Sequence, residues 1–143
     1  MNRKLHTRAL VLPLLGLLGA LLTSACSMAP ASACAADERR SVNDLVYFGV
    51  ESSEGPVTAE QWTIFLRDEV TPRFPAGLTT WDAAGQWRSA DGSLTHEPAH
   101  VLNLVHPGDA DSEQSVRAII EAYKTRYRQE AVLRVKGSAC VSF

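Results

Sequence analysis

The sequence predicts a single α+β domain whose elements follow the order β-α-β-β-α-β. Four segments have the β-branched and aromatic composition of strands, and two segments between them repeat apolar residues with a helical period. The chain has 143 residues, which is enough for one small core but not for two full domains. We therefore expect one folded unit, over residues 42–143.

Residues 1–25 have the composition of an export signal. Basic residues between Arg3 and Arg8 precede an apolar run of 14 residues, which is shorter than the roughly 20 that a membrane-spanning helix needs. Without this segment the formal charge is −5, from 11 basic and 16 acidic residues. An acidic chain with few cation clusters argues against nucleic acid as the main partner.

The end of the leader, Leu22-Thr23-Ser24-Ala25-Cys26, resembles a bacterial lipoprotein processing site, although Thr23 stands where a branched apolar residue is usual. It predicts lipidation at Cys26, a flexible tether over residues 26–41, and a protein anchored in a membrane and facing the periplasm or the cell exterior. The alternative is cleavage after Ala33, which would release a soluble secreted or periplasmic protein.

Both routes leave Cys34 and Cys140 together in an oxidising compartment. An even number of cysteines there usually forms disulfides, so we expect these two to be bonded.

The first strand is predicted over Leu45–Val50, followed by a turn. Thr58 and Gln61 then form a capping box, which indicates the start of a helix. That helix ends near Thr71, because Pro72 disfavours helical geometry at the preceding residue. One apolar stripe marks its buried face: Trp62, Phe65, Leu66 and Val70.

The second strand is predicted over Leu78–Ala84, with a bulge at Gly85 before it continues to Arg88. After a turn the chain returns through Leu94–Glu97 into a third strand, Val101–Val105, with His106 as a surface residue at its end. A second helix starts near Asp111 or Ser112, and a fourth strand covers Ala131–Val135. The apolar stripe of the second helix consists of Val116, Ile119, Ile120, Tyr123 and Tyr127.

This order is that of a ferredoxin-like sandwich, in which a four-stranded antiparallel sheet carries two helices on one face. Both faces of the predicted strands are nevertheless apolar, although an open face should be polar. We expect another subunit, the N-terminal tether or a ligand to cover the second face.

The segment His96-Glu97-Pro98-Ala99-His100 matches the H-E-x-x-H zinc signature. That chemistry needs a helix, and Pro98 would interrupt one at a cost of about 3 kcal/mol. In an extended chain the two imidazoles would stand ~13 Å apart, too far for one metal ion. We therefore interpret the match as chance, on a loop entering the third strand, and expect no metal and no cofactor.

The sequence carries no recognisable nucleophile or phosphate-binding motif. Polar residues around the predicted hairpin are the best candidates for a site, with Trp81 or Trp87 as its floor and a small anion or polar metabolite as its ligand. The competing interpretation is a structural cross-strand pair between Arg88 and Glu97. The ligand-binding candidates are Tyr47, Arg73, Gln86, Trp87, Arg88 and Glu97, with Glu130 as a further polar residue of interest.

Several motifs resemble the bacterial domain of unknown function numbered 3574: Val46-Tyr47-Phe48-Gly49, residues 70–78, Gly85-Gln86-Trp87-Arg88, Glu97-Pro98, residues 132–135 and residues 139–143. The resemblance runs from about Cys34 to the end of the chain. It implies a secreted or lipid-anchored envelope domain and implies no reaction.

Three hypotheses for function follow, of which one, a purely structural lipoprotein, predicts no pocket. The first is a non-enzymatic envelope domain that binds a small ligand or an envelope protein through the second sheet face, as a homodimer. The alternative is an enzyme resembling dimeric α+β barrels, with Glu97 as catalytic acid or base and Arg73 or Arg88 holding an anionic substrate.

Overall fold

The computed structural model describes residues 33–143. The export signal and Cys26 lie outside the described residues. The elements are β1 (Arg39–Gly49), α1 (Ala59–Phe65), β2 (Thr79–Arg88), β3 (Leu94–His106), α2 (Ala110–Tyr127) and β4 (Leu133–Val141). They form one antiparallel sheet in the order β2-β3-β1-β4, which confirms the predicted ferredoxin-like α+β fold. Within the described residues, neither helix is long and apolar enough to cross a membrane.

The neighbouring strands β1 and β4 are longer than the sequence predicts. β1 begins at Arg39, inside the predicted tether, because it pairs with β4 from Arg39 opposite Val141 to Tyr47 opposite Leu133. The predicted disulfide is present just beyond this ladder, with the Cα atoms of Cys34 and Cys140 5.5 Å apart. The bond ties the chain before β1 to the end of β4.

The predicted bulge at Gly85 is wrong. The β2–β3 register runs without interruption through Gly85 opposite Glu97. β3 is likewise one continuous strand through Pro98, where we expected a loop. Pro98 has no N–H, yet no hydrogen bond with β2 is lost. Its carbonyl points to the β1 side of the strand, where it accepts the Val50 N–H, and its ring nitrogen points to the same side, away from β2.

The helices pack on one face of the sheet, as predicted. Thr58 and Gln61 form the capping box of α1, and the chain continues beyond α1 as a π-helical turn over Leu66–Val70. Phe48 of β1 is fully buried against rings from both helices. The core consists of Val46, Phe48, Val57, Trp62, Phe65, Val70, Phe74, Leu102, Leu104, Val116, Ile119, Tyr123 and Tyr127.

A buried charge cluster joins β1, β3, β4 and α2 on the same side of the sheet. Asp44, with no exposed surface, accepts two hydrogen bonds from Arg134 and one from His106 Nε2 at 2.8 Å. Arg134 also donates to Glu113 of α2. His106 is therefore a buried partner of Asp44, and its prediction as a surface residue is wrong.

Candidate functional site

The open face of the sheet can be described as rows of side chains that lie side by side across the strands. One row is bulky: Trp81, Val101, Tyr47 and Leu133 follow one another across β2, β3, β1 and β4. Val101 is fully buried although it lies on the open face, since Trp81 and Tyr47 flank it in this row. This row divides the face into two halves.

On the β2–β3 hairpin side of that row the residues become small. Ala83, Ala99 and Gly49 form the next row, and Gly85 lies beside Glu97 in the row after it. Trp87 lies beside Thr95 in the last row, next to the hairpin turn. Small residues between bulky rows leave a hollow in the sheet surface.

This hollow is a cavity of about 380 Å³. The sheet supplies its floor and aromatic walls, and two loops supply its rim. One loop follows β1 and the other connects α2 with β4, and the Gln129 amide joins the two by donating to the Glu51 carbonyl at 2.7 Å. The lining includes Tyr47, Gly49, Glu51, Gly85, Gln86, Trp87, Thr95, Glu97, Ala99, Arg128, Gln129, Glu130 and Leu133.

Glu97 is the one charged side chain that the strands place inside the cavity, as far as the described lining shows. None of the described residues donates a hydrogen bond to its carboxylate. Desolvation by burial raises the pKa of Glu97 above its ordinary value, and the nearby charge of Glu51 raises it further. The carboxylate therefore has free acceptor sites, and its environment favours the binding of a proton or of a hydrogen-bond donor.

The charges around the cavity are mainly negative. Glu51 and Glu130 lie on the rim loops beside Glu97. Arg128 also lies on the rim, but its guanidinium pairs with Glu54 at 2.6 Å. The only cation in the described lining is thus already engaged.

Four of the six predicted ligand-binding residues line the cavity: Tyr47, Gln86, Trp87 and Glu97. Of these, Gln86 lies opposite His96, so strand alternation turns its side chain to the other face of the sheet. Glu130 also lines the cavity. Whether these residues bind a ligand stays a prediction.

The structure places both predicted arginines elsewhere. Arg73 pairs with Glu69 beyond α1, at 3.0 Å, and Arg88 donates to the Gly92 carbonyl within the hairpin. The predicted cross-strand pair between Arg88 and Glu97 is wrong, because Arg88 lies opposite Leu94. Strand alternation puts Arg88 on the opposite face from Glu97.

Sequence reasoning missed Gly49, Glu51 and Arg128 of the cavity. Gly49 carries a recognisable signal, since a glycine inside a strand often marks close approach of another group. The rim residues carry no such signal, because their positions depend on how two distant loops meet.

The H-E-x-x-H segment lies within β3 as extended chain, so it lacks the helical geometry that a zinc site of this kind needs. His100 lies on the helix-covered face, stacked on Trp62 with ring centroids 4.6 Å apart. Its Nδ1 contacts Asp82 at 2.7 Å. Glu97 and His100 therefore face opposite sides of the sheet.

Comparison with a phage enzyme of known structure supports the fold. A phage S-adenosylmethionine (SAM) lyase in complex with S-methyl-5′-thioadenosine matches with a TM-score of 0.55 and 12% identity, over 72% of this chain and 90% of the lyase. The same enzyme in its apo state matches with a TM-score of 0.50 and 13% identity, over 78% of this chain and 95% of the lyase. CutA from Synechococcus elongatus has a TM-score of 0.49 and 10% identity, over 73% of this chain and 87% of CutA.

No curated protein matches the sequence. Residues 43–143 match the family described as protein of unknown function DUF3574, which covers every helix of the fold and nearly all of the sheet. The chain belongs to the DUF3574 family.

Proposed function

We propose that this domain binds a small ligand in the cavity on the open sheet face, with Glu97 as the polar anchor, and that it does so without catalysis. The observation that carries the proposal is the set of small residues between Tyr47 and Trp87, around a carboxylate that receives no hydrogen bond from residues 33–143. Ligand sites are typically concave, largely apolar and supplied with few polar groups.

The enzymatic alternative has less support. It requires Arg73 or Arg88 to hold an anionic substrate beside Glu97, and both arginines are engaged away from the cavity. The SAM lyase shares the fold at 12% identity, which does not extend to its reaction.

Native mass spectrometry of the protein purified from its own cell envelope tests ligand binding. We expect additional mass on the oxidised chain, and we expect Ala99→Leu to abolish it by filling the cavity floor. Ala90→Leu, at an exposed position in the hairpin turn, is the matched control. A bare chain, or equal retention by both variants, would contradict the proposal.

We further propose that a second copy of the chain covers the half of the open face remote from the cavity. Trp81, Val105 and Val135 are 42–48% exposed there. Four strands about 4.8 Å apart and about 30 Å long give the whole open face an area of roughly 600 Å², so the half remote from the cavity offers roughly 300 Å² per copy. Two copies would bury about 600 Å², which is below the range for stable specific interfaces, so we propose a weak dimer that forms at high protein concentration.

The oligomeric state tests this second proposal. Val135→Glu places a charge on the face, whereas Leu94→Glu changes a similarly exposed side chain of the hairpin that points to the other side of the sheet. In analytical ultracentrifugation we expect a dimer for the wild type and Leu94→Glu, and a monomer for Val135→Glu. A wild-type monomer at all concentrations would refute the dimer.

We also propose that the protein is an exported lipoprotein anchored through Cys26. The leader sequence supports this location, and the bond between Cys34 and Cys140 fits an oxidising compartment. Cell fractionation provides the test: we expect the full chain in the membrane fraction and Cys26→Ser released from it. Retention of the wild type in the soluble envelope fraction would favour cleavage after Ala33 instead.

A further inference from the structure

We infer that the ligand is an organic cation, in which an apolar or aromatic body carries an ammonium or amidinium group that donates to Glu97. This inference rests on the proposed ligand-binding function. It reverses the expectation of an anionic ligand that the sequence suggested through Arg73 and Arg88.

The first argument is the balance of charge. Glu51, Glu97 and Glu130 contribute carboxylates to the lining, and the guanidinium of Arg128 is held by Glu54 outside that set. A cleft lined by one sign of charge concentrates ligands of the opposite sign. An anion entering this cavity would meet three like charges and no available guanidinium in the described lining.

The second argument is the hydrogen-bonding state of Glu97. A carboxylate accepts hydrogen bonds and donates none when ionised, and this one receives none from the described residues. The large majority of buried side-chain polar atoms in proteins have a hydrogen-bond partner. A ligand ammonium or amidinium would supply charge-assisted hydrogen bonds at this point.

The third argument concerns the cavity walls. Trp87, 42% exposed, and Tyr47 line the same hollow as Glu97. Aromatic faces attract cations and also bury apolar surface. Together with the Gly49, Gly85 and Ala99 floor, they suit a cation that carries an apolar body.

The arrangement does not suit a bare metal ion. Among the described residues, the one group of three close metal-ligating side chains is Cys34, Glu38 and Cys140, whose sulfurs form the disulfide. The cavity carboxylates are too dispersed to share one ion. An extended organic cation can contact Glu97 while its body lies against the walls.

A series of small probes that share one aromatic body and differ in charge tests the inference: cationic 2-phenylethylammonium, neutral 2-phenylethanol and anionic phenylacetate. Each is titrated into the disulfide-bonded domain while the backbone amide NMR signals of Gly49 and Gly85 are followed. We expect the ammonium probe to bind at least about tenfold more tightly than the alcohol, and the carboxylate probe to bind weakest. Glu97→Gln should remove the preference, and Glu60→Gln, on the exposed side of α1, should preserve it.

The outcomes separate the inference from the proposed function. If the alcohol or phenylacetate moves the Gly49 and Gly85 signals as strongly as the ammonium, the cavity binds ligands but the cation inference is overturned. If none of the probes moves these signals, the inference is also overturned, while native mass spectrometry still decides whether the cavity binds another ligand. If Glu60→Gln removes the preference as fully as Glu97→Gln, the assignment to Glu97 fails.

Discussion

The Glu97 carboxylate occupies the space in which a side chain at residue 49 would have to begin. A Cβ atom added to Gly49 would lie 2.7 Å from Glu97 Oε1 and 3.0 Å from Gln129 Oε1. Gly49 also presents its carbonyl to the hydroxyl of Tyr123, which donates to it at 2.9 Å. One glycine at the end of β1 therefore allows the acid to lie inside the cavity and links that cavity to the core.

Gly49→Ala should displace the Glu97 carboxylate and weaken binding of 2-phenylethylammonium by about tenfold, the scale of one charge-assisted hydrogen bond. Gly85→Ala is the matched control, because its Cβ would meet the Glu97 carbonyl at an ordinary 3.5 Å. Each variant adds one methyl group to a strand glycine in the same cavity. NMR titration compares the affinities and crystal structures locate the carboxylate; equal affinity in both variants would contradict the role of Gly49.

Relative to the wild type, Glu97→Gln should raise the free energy of unfolding in urea, and this gain should be larger at pH 8 than at pH 4. The folded state raises the pKa of Glu97 above its ordinary 4.5, so folding favours the protonated acid. Its contribution to stability is fully present below pH 4.5 and is lost as the pH rises through the folded pKa. A neutral amide avoids this loss.

Urea denaturation at both pH values, with Glu60→Gln as the exposed control, measures this effect. An identical difference between Glu97→Gln and wild type at pH 4 and pH 8 would show that Glu97 titrates normally.

Asp44→Asn should destabilise the fold by about 3–5 kcal/mol, because it removes one charge of a buried set and leaves Arg134 with incomplete pairing. Asp37→Asn, at an exposed position before β1, should change the free energy of unfolding by less than about 0.5 kcal/mol. Thermal and urea unfolding of both variants provide the measurement. A cost for Asp44→Asn as small as that of the control would mean that the cluster is energetically neutral.

The same cluster predicts the response to acid. Burial by itself would raise the pKa of Asp44, but hydrogen bonds from Arg134 and His106 outweigh it and lower the pKa below its ordinary 3.8. The stability that Asp44 contributes is therefore present above pH 3.8 and is lost as the pH falls through the folded pKa. We expect the stability of the wild type to fall more steeply than that of Asp44→Asn below about pH 4, and parallel curves would contradict this assignment.

Removing the disulfide should reduce stability while leaving the sheet intact. Cys34 and Cys140 are separated by 106 residues, and a cross-link over so long a loop stabilises by up to about 4–5 kcal/mol through chain entropy. The double variant Cys34→Ser, Cys140→Ser should melt at a lower temperature with an unchanged far-UV circular dichroism spectrum. Wild type treated with a reductant should melt like the double variant, and an unchanged melting temperature in both would contradict a stabilising role.

Local features explain how much of the fold could be predicted. The capping box at Thr58 and the apolar stripe of α2 are fixed by residues three or four positions apart, and the structure has both. Strand lengths were underestimated because they depend on a partner strand. Lys136-Gly137-Ser138 does not read as a strand, yet it extends β4 because β1 lies beside it.

The candidate site likewise combines residues that local sequence could identify with residues that only strand pairing brings together. The sequence pointed to Glu97 and Trp87 because both flank a hairpin, but it also pointed to Arg88, which strand alternation turns to the other face. It missed Glu51, which approaches Glu97 only because β1 ends beside β3. Long-range strand register, which local pattern does not encode, decided which polar groups meet.

The sequence by itself thus determined the α+β class, the order of the elements, the helix boundaries to within a few residues and the pairing of Cys34 with Cys140. These follow from apolar periodicity, capping chemistry and cysteine number. Only the tertiary structure decided that His106 is buried against Asp44 and that a cavity opens beside Gly49, with a carboxylate that no residue in the described part of the chain partners. The physical reason is that burial and charge environment arise from residues distant in sequence, which meet only when the sheet assembles.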